Sequence, residues 1–323
     1  MSEKKVFVLG ASGTIGRAVV AALLQQGYEA VCLVRPHQRE TLLRLLPEAR
    51  WQVGNVTDLR LLRETLSGGS FGAVISCLAS RTGAPADAWA IDHQAHLQVL
   101  AAAQHAGVGQ MVLLSAICVQ KPLLAFQQAK LAFEQALIAS GLNYSIVRPT
   151  AFFKSLVGQI DRVRAGKPFL MFGDGQLTRC KPISDTDLAA YMVRCLSDET
   201  LQRRVLPIGG PGPAISPLEQ GEALFRLLGQ EPKFRRVPLG LLDVIVGALS
   251  VAGRVSSALA AKAELARIGR YYASESMLVL NPETGQYDEQ ATPSTGQQTL
   301  IDFYRAVLDG RERLPDRGEH AVF

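Results

Sequence analysis

Short apolar runs alternate with longer amphipathic stretches over the first 150 residues. Val6–Leu9, Ala30–Val34, Trp51–Val53, Ala73–Cys77, Met111–Ser115 and Ser145–Arg148 read as strands. Between them apolar residues recur at helical spacing, as in Ile15, Val19, Ala22 and Leu23 after the first run. Gly27 follows the polar pair Gln25-Gln26 and suits the left-handed residue that ends a helix. A strand–helix–strand rhythm of this kind predicts an α/β fold: a Rossmann-type doubly wound parallel sheet joined by right-handed crossovers.

Past residue 150 the rhythm changes. Glycine and proline become frequent (Gly173, Gly175, Pro182, then Gly209-Gly210-Pro211-Gly212-Pro213), and the helical patterns lengthen. Residues 1–150 are therefore expected to form a cofactor-binding domain, and 151–323 a smaller C-terminal substrate lobe. Two pieces are expected to return to the first sheet, the helix Asp185–Cys195 and the strand Val205–Ile208. Leu239–Ala261 is unusually apolar, but Asp243, Arg254 and three serines within it weigh against a membrane span. A buried or cleft-lining helix pair is the expectation there, with peripheral contact at a membrane as the alternative.

Composition narrows the function. With 323 residues, 48% of them hydrophobic, the chain can bury a large core. Its 34 Lys and Arg against 29 Asp and Glu leave a net charge of +5, scattered along the chain. That scatter argues against a nucleic-acid partner and permits an anionic small molecule. The N-terminus lacks the apolar stretch of a signal peptide, so a cytoplasmic location is expected. Five cysteines at 32, 77, 118, 180 and 195 form no CxxC pair; free thiols are expected, and neither a metal nor an iron–sulfur site.

Candidate chemistry starts at Gly10-Ala11-Ser12-Gly13-Thr14-Ile15-Gly16, between the first strand and the first helix. Glycine is needed there because a side chain would keep a pyrophosphate from the backbone, and the helix N-terminus offers amides to the anion. The second strand ends Leu33-Val34-Arg35-Pro36, with arginine where NAD enzymes place a carboxylate for the ribose 2′-hydroxyl. Arg35 suits a 2′-phosphate, so NADPH is the expected cofactor, with Arg17 and Arg39 as further cations. Asn55 and Val56 follow the third strand, at the adenine end, and Asp58 reads as a helix cap.

Short-chain dehydrogenases carry Tyr-x-x-x-Lys on the helix after the fifth strand, which places phenol and ammonium one turn apart. Here the stretch is Phe126-Gln127-Gln128-Ala129-Lys130. Lys130 is kept for the ribose, while phenylalanine replaces the acid that protonates a carbonyl oxygen. A ketone reductase is disfavoured; a reductase of an activated carbon–carbon double bond and a non-catalytic NADP-binding protein both stay open. Gln127, Gln128, Glu134 and Gln135 read as an exposed helix face. Ser115, ending the fifth strand, is the second catalytic candidate, to orient substrate or relay water, while Cys118 and Tyr144 are weaker ones.

Several runs are more distinctive: Val119–Leu123, Phe126–Glu134, Gly269–Met277, Leu280–Gly285 and Thr292–Ser294. Together they resemble the NADPH-dependent divinyl chlorophyllide 8-vinyl reductases of plants and photosynthetic bacteria, which are atypical short-chain dehydrogenases. The resemblance extends from Gly10 to about Phe303. It implies reduction of the 8-vinyl group of a magnesium tetrapyrrole to ethyl, in chlorophyll or bacteriochlorophyll synthesis. For such a flat, apolar, carboxylate-bearing substrate the candidates are Phe126, Phe152, Phe153, Lys154, Arg270 and Tyr271, with Met171, Phe172, Arg267 and Tyr272 beside them. His93 and His96 read as ordinary helix residues facing solvent or the lobe interface. Arg148-Pro149-Thr150 and Asp185-Thr186-Asp187 read as structural or capping. The alternatives are an NADP-sensing regulator or assembly factor on the same fold, or a reductase of another conjugated alkene.

Overall fold

The computed structural model describes residues 4–314. From the amino end the chain forms β1 (Lys5–Leu9), α1 (Thr14–Gln25), β2 (Glu29–Val34), α2 (Arg39–Leu45), β3 (Arg50–Val53), α3 (Leu59–Gly69) and β4 (Ala73–Ser76). A composite helix follows, made of α4 (Pro85–Ala88), a π-helical stretch over Trp89–Ala95 and α5 (His96–His105). Then come β5 (Gln110–Leu114), α6 (Ala125–Ala139), β6 (Asn143–Pro149), α7 (Phe153–Leu156), α8 (Ile160–Arg164), β7 (Phe169–Phe172), α9 (Asp185–Arg194) and β8 (Arg204–Ile208). The remainder holds α10 (Pro217–Leu227), β9 (Phe234–Val237), α11 (Leu239–Ala252), α12 (Ser257–Tyr272), the short strands β10 (Val279–Leu280) and β11 (Tyr287–Asp288), and α13 (Leu300–Leu308).

All seven predicted strands lie in one sheet of order β3-β2-β1-β4-β5-β6-β8. β1 pairs in parallel with β2 on one side and β4 on the other, with Val8 opposite Cys32 and Ile75. The chain thus winds outward in both directions from β1, and the switch point between β1 and β4 is where such sheets bind ligands. β1 and β4 are apolar runs rather than alternating ones because both of their faces are covered: Val6, Phe7, Val8, Val74 and Ile75 are fully buried. Each large side chain buried in this way contributes roughly 1.5–3 kcal/mol. α1 turns Ile15, Val19, Val20 and Leu23 inward, and Gly27, at φ +75°, follows its end. Asp58 caps α3, its Oδ1 accepting from the Leu61 amide at 3.0 Å.

The chain divides into two units. The first takes residues up to Ser80, Pro85–Pro149 and Asp185–Leu206; the second takes Arg81–Ala84, Thr150–Ser184 and the residues from Pro207 on. The second unit has its own core, in which Phe153, Ile160, Phe169, Leu224, Phe225, Phe303 and Tyr304 are buried together. Within it β7 and β9 pair in parallel, and the Tyr304 hydroxyl donates to the Leu156 carbonyl at 2.8 Å. The apolar stretch after residue 239 does form a helix pair, α11 against α12, but α11 is not buried: none of its side chains is inaccessible. Among the described residues no helix is long and apolar enough to cross a membrane.

Candidate functional site

The glycine loop sits at the end of β1, and its three glycines have different reasons. Gly10 has φ +71°, and a Cβ there would stand 2.5 Å from the Cys77 carbonyl group. A Cβ on Gly16 would stand 2.1 Å from the Gly10 carbonyl oxygen. Both are therefore demanded by the packing of loop, helix and sheet. Gly13 is exposed, and its Cβ would meet nothing closer than 3.4 Å, so no internal contact requires glycine there. No side chain caps α1 and no acid stands in its first turn, which leaves the positive helix end for an external anion. Ser12 and Thr14 are half-buried, while the Ile15 side chain is buried and presents only its backbone. Arg17 donates to the Ser12 carbonyl at 3.0 Å and stiffens the turn. A dinucleotide pyrophosphate fits this cradle.

Arg35 follows β2 in extended conformation and is exposed, directly before the turn that Pro36 opens. Asn55 braces the loop after β3, its Oδ1 accepting from the Thr57 amide at 3.2 Å, and Val56 packs against the core of the first unit.

On α6, Phe126 is half-buried and Lys130 stands one turn later. Lys130 Nζ lies 3.0 Å from Asp92 Oδ1, with the lysine side chain 12% exposed and the aspartate fully enclosed. Asp92 belongs to the π-helical stretch, whose wider turn is often found at functional positions. Its Oδ1 also accepts from the Ser80 amide at 3.3 Å, while the buried Oδ2 has no hydrogen-bond partner among the described residues. Beside this pair, His96 places Nδ1 at 2.9 Å from the Ile91 carbonyl and Nε2 at 2.8 Å from Ser76 Oγ. The carbonyl can only accept, so Nδ1 carries the proton and Nε2 accepts from the serine hydroxyl. Burial, reinforced by the charge on Lys130, lowers the His96 pKa to about 4, so the ring is neutral at pH 7. The expectation of a histidine facing solvent or a lobe interface is corrected: His96 is 1% exposed, with its ring centroid 4.7 Å from that of Phe133.

A second buried network surrounds the other catalytic candidate. Ser115 donates its hydroxyl to Glu134 Oε1, and Arg148 clamps the same carboxylate, its Nε within 3.2 Å of Oε1 and 3.1 Å of Oε2. The exposed face read along α6 is therefore only half correct. Gln128 and Gln135 face water, but Gln127 and Glu134 are buried, because each has a polar partner inside. Gln127 Oε1 accepts from the Leu124 amide at 2.9 Å. Arg148, read as structural, is the partner that makes a buried Glu134 affordable.

The substrate candidates fall in both units. Phe126 belongs to the first unit; the other five belong to the second. Phe152 and Lys154 are half-buried. Phe153 is in the core of its unit, its ring 5.3 Å from Phe303. Arg270 Nε donates to Asp243 at 2.7 Å, and Tyr271 is 5% exposed, edge-on to Tyr272. Sequence reasoning missed Asp92 and Glu134, and the signal for both was weak: an acid at a helix position where only the tertiary partner reveals the use.

A glycine cradle at the switch point of a parallel sheet, with a lysine on the helix after the fifth strand, defines an NAD(P)H-binding protein of the short-chain reductase class. The family model described as NAD(P)H-binding matches residues 10–199. In fold the chain is similar to the NADPH complex of quinone oxidoreductase QOR2 from Escherichia coli, with a TM-score of 0.68, 18% identity, and coverage of 94% of this chain and 99% of that one. In sequence it is 48% identical to the chloroplastic divinyl chlorophyllide a 8-vinyl-reductase of Oryza sativa subsp. indica, over 100% of this chain and 83% of that protein. It is likewise 48% identical to the Arabidopsis thaliana protein of the same name, over 94% and 76%. The chain belongs to the divinyl chlorophyllide a 8-vinyl-reductase family.

Proposed function

We propose that this protein reduces the 8-vinyl group of a divinyl chlorophyllide or protochlorophyllide to ethyl, using NADPH, in chlorophyll or bacteriochlorophyll synthesis. The observation that carries the reading is the pair Phe126 and Lys130 on one face of α6. A carbonyl reductase needs an acid one turn before the lysine, and phenylalanine supplies none. An alkene conjugated to a macrocycle spreads the incoming negative charge over carbon and nitrogen, and no oxygen demands a proton from that position.

NADPH, when bound, supplies the hydride of the reduction. The glycine loop and the open N-terminus of α1 would hold its pyrophosphate, Arg35 its 2′-phosphate and Lys130 its nicotinamide ribose. Asp92 fixes where the Lys130 ammonium points, and neutral His96 stays beside it without adding charge. Ser115 is oriented by Glu134 and Arg148. Within the second unit, Phe152 and Lys154 keep partly accessible side chains suited to a flat apolar pigment bearing carboxylates. Peripheral contact with a membrane belongs to the same proposal, since such a pigment partitions toward lipid.

The test is an anaerobic incubation of the purified protein with NADPH and divinyl chlorophyllide, followed by chromatography of the pigment. Conversion to the monovinyl pigment, with NADH much poorer, supports both the reaction and the role of Arg35. Tight NADPH binding without conversion would move the protein to the NADP-sensing alternative. Substituting Phe126→Tyr is expected not to be needed for activity; an enzyme active only with tyrosine there would sink the alkene reading.

A further inference from the structure

We propose that the exposed face of α11 docks on an anionic lipid bilayer; the proposal rests on the preceding reading for its biological setting alone. Leu241, Val244, Ile245 and Val251 are 51%, 69%, 38% and 64% exposed, and Val255 just beyond the helix is 89% exposed. Positions 241, 244, 245, 248 and 251 recur at helical spacing, so these side chains form one stripe, with exposed Ala248 filling its middle. An uninterrupted apolar stripe of this size on a protein surface marks an interaction site.

The stripe is held outward. The opposite face of α11 packs on α12, where a Cβ on Gly253 would stand 2.9 Å from Ala260 Cα, so the two backbones meet. Arg270 pairs with Asp243 at 2.7 Å, and Arg267 donates to Ser250 Oγ at 2.7 Å. With these contacts in place α11 cannot roll to bury its valines.

Charge selects the occupant. Lys233, Arg235 and Arg236 precede the stripe, and Arg254 and Lys262 follow it; all five are exposed, and among the described residues none makes an ion pair. The one acid within that span before Glu264, Asp243, is already matched by Arg270. A helix about 21 Å long, apolar on one side and flanked by cations, lies in the plane of a bilayer interface, with its cations at the lipid phosphates. A second copy of the chain is the poorer occupant, because a two-fold pairing of this face sets the same cations against one another.

The experiment is co-sedimentation of the full chain with vesicles of phosphatidylcholine alone or mixed with phosphatidylglycerol, at low and high salt. The wild type is expected to pellet with the phosphatidylglycerol vesicles and to be released by salt. Arg235→Gln with Arg236→Gln is expected to weaken partition by roughly fivefold for each charge removed, and Val244→Asp with Val251→Asp to abolish it. Both variants are expected to retain NADPH binding and wild-type turnover of detergent-dispersed pigment, which shows that they are folded. Wild type that ignores phosphatidylglycerol vesicles, binding that survives both double variants, or a dimer that only Val244→Asp with Val251→Asp dissociates would each overturn the proposal. Failure of pigment turnover with vesicle binding intact would count against the reductase reading alone.

Discussion

Asp92 Oδ1 holds Lys130 Nζ at 3.0 Å, so the lysine expected to meet the cofactor is anchored by a carboxylate that water does not reach. Removing one member of a buried pair leaves the other charge uncompensated, at up to ~3–5 kcal/mol. Asp92→Asn is therefore expected to lower the urea midpoint. It is also expected to raise the KM for NADPH by roughly tenfold, the equivalent of about 1.4 kcal/mol of lost positioning. Steady-state kinetics beside denaturation curves check it: a lower midpoint with unchanged KM would leave Asp92 only a structural role.

His96 gives the fold a defined acid sensitivity. Its pKa falls from 6.5 unfolded to about 4 folded, through burial first and the Lys130 charge second, with Asp92 and backbone carbonyls opposing. Between those values the unfolded chain binds a proton that the folded chain refuses. The contribution is thus complete above pH 6.5 and is lost as the pH drops toward 4, by ~3 kcal/mol. Urea midpoints measured across that window should show the slope, and His96→Gln should flatten it.

Arg35 is exposed and among the described residues its side chain makes no cap hydrogen bond, so its replacement tests cofactor choice with little folding penalty. Arg35→Ala is expected to raise the KM for NADPH by about 10- to 100-fold, the range of a charge-assisted contact to phosphate. The NADH value should hardly change. Equal losses with both cofactors would place the 2′-phosphate elsewhere.

The loop glycines should separate by phenotype. Gly16→Ala drives a methyl group into the Gly10 carbonyl and is expected to impair folding. Gly13→Ala meets no such contact and is expected to keep the wild-type thermal midpoint while losing NADPH affinity. Isothermal titration beside a melting curve distinguishes the two; a destabilised Gly13→Ala protein would contradict the assignment of that position to the ligand.

Much of this was readable before any coordinates. β1 and β4 were visible because a strand buried on both faces is a local apolar run, whereas β3 showed only a short run and has no buried residue. The glycine loop was visible because its spacing, a preceding strand and a following helix are all contiguous. The relation of Phe126 to Lys130 was equally local, four residues apart on one helix. The burial of Glu134 was not readable, because its partners Ser115 and Arg148 are 19 and 14 residues away, brought in by β5 and β6. His96 read as an ordinary helix residue and Asp92 gave no signal of its own; their burial came with the π-helical turn and the approach of α6. The apolar stretch of α11 was plain in the sequence, yet its outward stripe depended on α12 occupying the other face. Periodicity is written along the chain and determines which elements form. Which polar group meets which partner depends on how those elements pack, and that pairing decided the inner architecture of the site.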